Sequence, residues 1–386
     1  MLACGLFFGK LQGDGPFTAL QYRLAAVEPR ACPFSAQQPW RTRSAQDVGW
    51  SVRENGGVKR LAIVGPTAAG KTAVALEVAR SLGSVGLAAE IVSADSMCVY
   101  RGMDIGTAQP SAEERAEIPH HLVSVVDPTV EYSVADYQRG ALAAILDIEA
   151  RGAVPILVGG TGLYVDAVVD ELVMPGQYPA VKAELEKESD VALLYARLQT
   201  LDPLASTRME PTNRRRIIRA LEVGVGSGKP FSSYGPGLQE SQVANAWAIF
   251  GLRWPRGELA QRIARRYEQQ MADGFLNEAS SLLTTFGESL SRTALQALGY
   301  RELWNHLRSP ESYPLEVALA DAVLRTRQFS VRQERWFRRD VRVRWIDRDA
   351  GAIDFADFAG VPDVPGVMVR NIVSAAFEVE AGVDRG

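Results

Sequence analysis

"GPTAAGKT", Gly65 to Thr72, follows the apolar run Leu61-Ala62-Ile63-Val64 and leads directly into "AVALEVARSLG". An apolar strand, a glycine-bounded loop and a helix in that order fit the pattern G-x-x-x-x-G-K-[ST]. Its glycines let the backbone curl until successive N–H groups point inward, and the following helix adds its own unpaired N-terminal donors. Gly65, Pro66, Thr67, Ala68, Ala69, Gly70, Lys71 and Thr72 are therefore the expected cradle for a chain of phosphates. Lys71 supplies a point charge and Thr72 a hydroxyl ligand for Mg2+. The loop alone does not distinguish a triphosphate from a diphosphate. A second glycine-lysine stretch, "GSGKP" at 226–230, lacks Ser or Thr after the lysine and reads as a helix stop and turn.

From Leu61 onward, strand-like apolar runs alternate with amphipathic stretches, the mark of an α/β fold. The expectation is a P-loop NTPase-like parallel sheet with helices on both faces. Its strands are "LAIVG", "EIVSAD" ending at Asp95, "HLVSVV" and "VPILVGG" ending at Gly160. The rhythm breaks at 174–243, where "PAVKAELEKES", "ALLYARLQTLD" and "NRRRIIRALEVGVGSG" predict an inserted all-helical domain. "ANAWAIFGLRW" returns to the sheet, and helices follow at about 256–273, 275–286 and 315–339. The core is thus expected over 58–173 and 244–348, between an irregular extension at 1–57 and a C-terminal tail at 349–386. A start at Val58, encoded as GTG, would put the first strand at the terminus.

Among 386 residues, 47% are hydrophobic and 23% charged, ample for a buried core. A net charge of -4 excludes a protein that coats nucleic acid with its whole surface, so any RNA-binding face must be a local basic stripe. The three cysteines, Cys4, Cys32 and Cys98, form no CxxC, which fits a cytoplasmic protein without a zinc cluster. No apolar run is long enough to span a bilayer, so no membrane partner is expected.

Ligands in open α/β sheets gather at the carboxyl ends of strands, so two further strand ends should meet the loop. Asp95 lies in "SADSMCVYRGMDIGTAQP" and Thr161 in "VGGTGLY". Either residue could simply cap the next helix. "RMEPTNRRRIIRALEV" concentrates Arg208, Arg214, Arg215, Arg216 and Arg219 with Glu210 the single acid lying between them, a patch suited to phosphates. At about 100° per residue, Arg325, Arg332, Arg335 and Arg339 share roughly a quarter of a helix circumference, bordered by Phe329 and Trp336. His120 and His121 read as hydrogen-bonding residues.

"GPTAAGKT", "SADSMCVYRGMDIGTAQP", "PHHLVSVVDP" with "YSVADY", "PILVGGTGLY", "RRRIIRALEV", "GYRE" and "TRQFSVRQERWFRRD", in this order, resemble the bacterial tRNA dimethylallyltransferases over roughly Lys59 to Asp347. The resemblance implies transfer of the allyl group of dimethylallyl diphosphate to N6 of the adenosine beside the anticodon, by a monomer. The loop would then hold a diphosphate, joined by Arg266 of "RIARRY", with Arg262 one turn earlier on the same face. Asp95 and Thr161 would serve catalysis with Arg266. The tRNA anticodon loop would be met by Asp95, Ser96, Met97, Cys98, Thr161, Lys182, Arg215, Arg216, Ile217, Ile218 and Arg219. Cys98, Gln109 and Leu295 depart from the family's usual Gln, Lys and Arg.

The chemistry suits such a site. Breaking an allylic C–O bond leaves charge on the diphosphate, which preorganised donors stabilise more in the transition state than in the ground state. A carboxylate of ordinary acidity is too weak to deprotonate an exocyclic amine beforehand. It can accept the amine's hydrogen bond and take the proton as nitrogen becomes cationic. A single-stranded loop is where a base leaves its stack most cheaply. Two other chemistries use the same core: a small-molecule kinase acting on ATP, and prenyl transfer to free AMP.

Overall fold

The structure, a computed structural model, describes residues 60–84, 86–234 and 247–347. The expected extension at 1–57, the alternative start at Val58 and the tail at 349–386 lie outside the described residues.

Six parallel strands form one sheet in the order β3-β2-β4-β1-β5-β6. They are β1 (Arg60–Val64), β2 (Ala89–Ser93), β3 (His120–His121), β4 (Val154–Gly159), β5 (Trp247–Arg253) and β6 (Arg344–Asp347). Helices α1 (Lys71–Ser84), α2 (Ala112–Glu117), α3 (Val134–Ala150) and α4 (Gly162–Val169) connect the first four strands and follow β4. After β5 come α9 (Arg256–Ala272), α10 (Phe275–Phe286), α11 (Tyr300–Arg308) and α12 (Leu315–Phe337).

Strand periodicity explains why both faces are covered, since successive residues point to opposite sides. Leu61 and Ile63 join a core with residues of α1, α9, α10 and α11. Ala62 and Val64 join a second core with Tyr137, Ile145, Tyr164 and Val168 of α3 and α4, closed by Phe337 of α12. The "YSVADY" stretch starts α3 by a capping box: the Ser133 hydroxyl accepts from the Asp136 amide while the Asp136 carboxylate accepts from the Ser133 amide.

The interval after α4 holds α5 (Pro179–Glu186), α6 (Val191–Leu201), α7 (Pro203–Thr207) and α8 (Arg214–Ser227), with no strand among its described residues. These helices pack a separate core from Leu185, Leu194, Leu198, Ile217, Ile218 and Leu221. Gly228, at φ 70°, ends α8, so "GSGKP" is the helix stop its composition suggests.

The expected strand "HLVSVV" is a correction. Pairing with β2 stops at His121, because Leu122 and Ser124 turn into the left-handed region at φ 61° and 52°. The amides of Ser124, Val125 and Val126 instead bond the carbonyls of Cys98 and Val99, strapping the run along the Asp95 loop.

Candidate active site

The loop after β1 is held from behind by donors just past the end of β5 and on α9. Gly65 sits at φ 142°, and a Cβ there would lie 2.7 Å from the Leu252 carbonyl oxygen on β5, so only glycine lets the two strands' ends approach. The Trp254 indole N–H donates to the Ala69 carbonyl at 3.0 Å. Arg262 Nε donates to the Ala68 carbonyl at 2.7 Å and stacks over Trp254 with its guanidinium carbon 4.2 Å from the ring centre. A planar trans peptide sends its N–H opposite to its C=O, so the Gly70 amide faces away from Trp254. These anchors also stabilise Ala68, which at φ 62° adopts a conformation costing of order 1 kcal/mol outside glycine.

Lys71 Nζ donates across the loop to the Pro66 carbonyl at 2.8 Å. Burial brings its ammonium down to about 8; Asp95 opposes the shift and Arg266 adds to it. Arg266 Nη1 donates to the Thr67 hydroxyl at 2.9 Å, and Nη2 lies 3.5 Å from the Gly106 carbonyl. Arg262 and Arg266 of "RIARRY" therefore face the loop, and neither is a merely solvated helix residue, whereas Arg265 between them is exposed. Their jobs differ: Arg262 braces the loop's backbone, while Arg266 brings charge to its side chains.

Thr67 corrects a uniform cradle. Its amide donates to Gln333 Oε1 of α12 at 2.8 Å, so the loop's phosphate-facing donors come from other positions. Thr72, in the first turn of α1, is exposed. Among the described residues no group of three or more His, Cys, Asp and Glu could hold a metal. A lone hydroxyl at the loop, with the remaining ligands from phosphate oxygens and water, fits Mg2+, which keeps waters and takes few protein ligands at phosphate sites.

Asp95 and Thr161 meet at the neighbouring ends of β2 and β4. Asp95 Oδ1 accepts from the amides of Met97 at 2.8 Å and Cys98 at 3.4 Å, which fixes the carboxylate in its turn. No partner for Oδ2 occurs among the described residues. Thr161 stands at the N-cap of α4 without a side-chain cap bond. Its hydroxyl accepts instead from the Ser96 amide at 3.2 Å and lies 3.4 Å from the Ser96 hydroxyl. The capping role that composition allowed is not the one adopted.

Cys98 is buried, its thiol set toward the Thr107 carbonyl at 3.7 Å and pushed up by burial and then by Asp95. Its side chain thus belongs to the packing beneath the Asp95 turn, while Ser96 and Met97 are half-buried at its surface. Gln109 Nε2 lies 3.1, 3.1 and 3.3 Å from the carbonyls of Cys98, Tyr100 and Met103. A lysine ammonium could bind the same three acceptors, which makes glutamine a chemically mild replacement.

The Met103–Thr107 stretch is clamped over Arg266. Glu278 of α10 accepts from the amides of Asp104, Ile105 and Gly106 at 3.0, 2.8 and 3.1 Å and from the Tyr300 hydroxyl. Gln270 of α9 donates to the carbonyls of Ile105 and Gly106. Neither Glu278 nor Gln270 carries a local sequence signal, because each acts on a segment far away in the chain.

On the helical insert, Arg215 and Arg216 are exposed. Ile217 and Ile218, expected with them at an RNA surface, are a correction: their side chains are 0% and 4% exposed in the insert's own core. Arg219 pairs with Glu222 at 2.9 Å and donates to the Pro175 carbonyl, and Lys182 Nζ lies 3.9 Å from Glu186. Arg214 donates to the carbonyls of Glu186 and Glu188, which commits it to structure. On α12, Arg332 and Arg335 are exposed, as is Arg339 in the turn just past the helix end, while Arg325 turns toward Glu302 and Asp321. His120 and His121 bond the Ile118 carbonyl and the Glu90 carboxylate. No described helix is long and apolar enough to cross a membrane.

A family model described as IPP transferase matches residues 98–340. The chain is 45% identical over 290 residues to a tRNA dimethylallyltransferase of Desulforudis audaxviator, covering 74% of this chain and 90% of that relative. It is 46% identical over 293 residues to a tRNA dimethylallyltransferase of Thermobifida fusca, covering 75% and 90%. Its fold matches the crystal structure of a full-length tRNA isopentenylpyrophosphate transferase from Bacillus halodurans with TM-score 0.57 at 34% identity, covering 84% of this chain and 99% of that one. A eukaryotic dimethylallyltransferase acting on tRNA shares the fold with TM-score 0.67 at 24% identity, covering 85% and 81%.

Proposed function

This chain belongs to the IPP transferase family, and from that premise we propose that it transfers the dimethylallyl group of dimethylallyl diphosphate to N6 of the adenosine beside the anticodon of tRNA, releasing diphosphate. One observation carries the reading. Lys71 and Arg266 bring positive charge to the loop after β1, while Asp95 and Thr161 meet at the ends of the strands beside it. Leaving-group and acceptor chemistry are thus supplied from adjoining edges of one crevice.

In this reading the loop amides, Lys71 and Arg266 stabilise charge as it builds on the departing diphosphate. Mg2+ on Thr72 would add Lewis-acid charge at the same oxygens. Asp95, held in its turn through Oδ1, offers Oδ2 to the exocyclic amine and takes its proton as the new C–N bond forms. Thr161 holds the Ser96 amide and so fixes the turn that carries Asp95. Exposed Arg215 and Arg216 engage phosphates of the anticodon arm. The protein works as a cytoplasmic monomer.

The test is incubation with dimethylallyl diphosphate, Mg2+ and unmodified tRNA, followed by nucleoside mass analysis. The expected product is adenosine carrying one five-carbon unit, with one diphosphate released per transfer and AMP a poor competitor. Transfer of a terminal phosphoryl group from ATP, with tRNA adenosine unchanged, would overturn the reading.

A further inference from the structure

Gln333 lies on α12, 5% exposed, and its side-chain amide joins the two halves of the crevice. Oε1 accepts from the Thr67 amide at 2.8 Å, and Nε2 donates to the Gly160 carbonyl at 2.9 Å. The orientation of the amide is fixed by chemistry, since Thr67 offers only a donor there and Gly160 only an acceptor. Gly160 is shaped for the contact: a Cβ on it would lie 2.3 Å from Gln333 Nε2.

The bonds on either side extend this bridge into a continuous path. Arg266 bonds the Thr67 hydroxyl at 2.9 Å; Thr67 bonds Gln333; Gln333 bonds Gly160. The next residue, Thr161, accepts from the Ser96 amide at 3.2 Å, beside Asp95. A guanidinium directed at the leaving group and a carboxylate directed at the acceptor are thereby linked through one buried amide. Docking of α12 does not depend on it. Trp336 Nε1 donates to Asp166 at 3.0 Å, a Cβ on Gly162 would lie 2.2 Å from the Trp336 ring, and Thr326 bonds the Tyr267 hydroxyl at 2.9 Å.

We propose that Gln333 is a positioning residue that sets the spacing between the diphosphate loop and the acceptor turn, and so decides whether the allyl carbon is captured by adenine or by water. This rests on the prenyl-transfer reading. As the allylic C–O bond breaks, its electron pair leaves with the diphosphate. Attack by the N6 lone pair with loss of one N–H proton gives prenylated adenosine; attack by water with loss of a proton gives dimethylallyl alcohol. A displacement of a fraction of an ångström between the two edges favours the second route, because reacting atoms must be held at near-attack distance.

The test compares wild type with Q333M, which fills the space and removes both bonds, and with Q333E, which keeps the acceptor arm and sets an oxygen against the Gly160 carbonyl. Single-turnover transfer to tRNA is expected to fall about tenfold or more in both, given two buried partners left unpaired in one and a repulsive contact in the other. Diphosphate released per prenyl group transferred should rise above the wild-type ratio. In the neutral Q333M, affinity for inorganic diphosphate should stay within about threefold, since Lys71 and Arg266 remain. Lowering the pH should restore Q333E toward wild type, because a protonated carboxyl can again donate to Gly160, a recovery that general loosening of the fold would not produce. If either soluble variant transfers at the wild-type rate with the wild-type release ratio, the bridge has no positioning role. If wild type itself makes no prenylated tRNA, it is the functional reading that falls.

Discussion

Lys71 gives the site a pH dependence whose size follows from its surroundings. Burial holds its ammonium at about 8, against the usual 10.5, with the Arg266 charge adding to the shift and Asp95 opposing it. A bound diphosphate places two or more negative charges beside the amine and returns its proton affinity toward the ordinary range. Only the charged form binds well, so affinity follows the charged fraction of the free protein: about nine-tenths at pH 7 and about one-tenth at pH 9. Diphosphate should therefore bind about tenfold more weakly at pH 9 than at pH 7, or about 1.4 kcal/mol. Isothermal titration calorimetry at pH 8, in two buffers of different ionisation enthalpy, should show uptake of about half a proton per site. K71R stays charged throughout and serves as the reference, so that the ligand's own titration cancels in the ratio. A wild-type pH profile parallel to that of K71R, with no proton uptake in excess of it, would refute the reasoning.

Asp95→Asn retains an oxygen for the Met97 amide but cannot accept the amine's proton, so kcat should fall by about 10² to 10⁴ with diphosphate affinity nearly unchanged; equal loss of both would contradict the division between leaving-group and acceptor edges. Replacing Arg215 and Arg216 with alanine should reduce the slope of log affinity against log salt for tRNA by about 0.7 to 0.9 per lost phosphate contact, read from filter binding at several ionic strengths. Asp166, bonded to Trp336, has its carboxyl raised to about 7 by burial, despite the Trp336 bond, with Asp170 and Asp340 adding to the shift. The folded protein binds that proton more tightly than the unfolded chain, so the associated stability is complete in acid and is lost as pH rises through about 7. Asp166→Asn should accordingly raise the unfolding free energy by of order 1 to 3 kcal/mol at pH 8, with the gain shrinking toward pH 5 in denaturant melts.

What could be read in advance was whatever is local. Glycine and lysine spacing announced the loop, and the unbroken apolar run Leu61–Val64 announced a strand covered on both faces. Capping at Ser133 and the stop at Gly228 were written in neighbouring residues. "HLVSVV" misled because hydrophobicity reports burial and not pairing: Leu122 and Val126 are packed against the two main cores, yet the backbone between them turns left-handed. Ile217 and Ile218 entered the expected RNA surface through the family resemblance alone, although a helix sends residues adjacent to exposed arginines to a different face. Gln333 was overlooked beside the arginines of α12. A bond between residues 266 positions apart leaves no trace in either neighbourhood.

The reach of α12 back to the first loop has a consequence for how the enzyme matures. Domains emerge from the ribosome N-terminal end first, and the sheet around β1 can begin to collapse while later helices are still unmade. The Thr67 amide nevertheless finds its partner only after residue 333 has been synthesised and folded home. A nascent chain stalled ahead of that point would carry the phosphate signature in full while its two half-sites stayed unlatched, so competence arrives late in synthesis and abruptly.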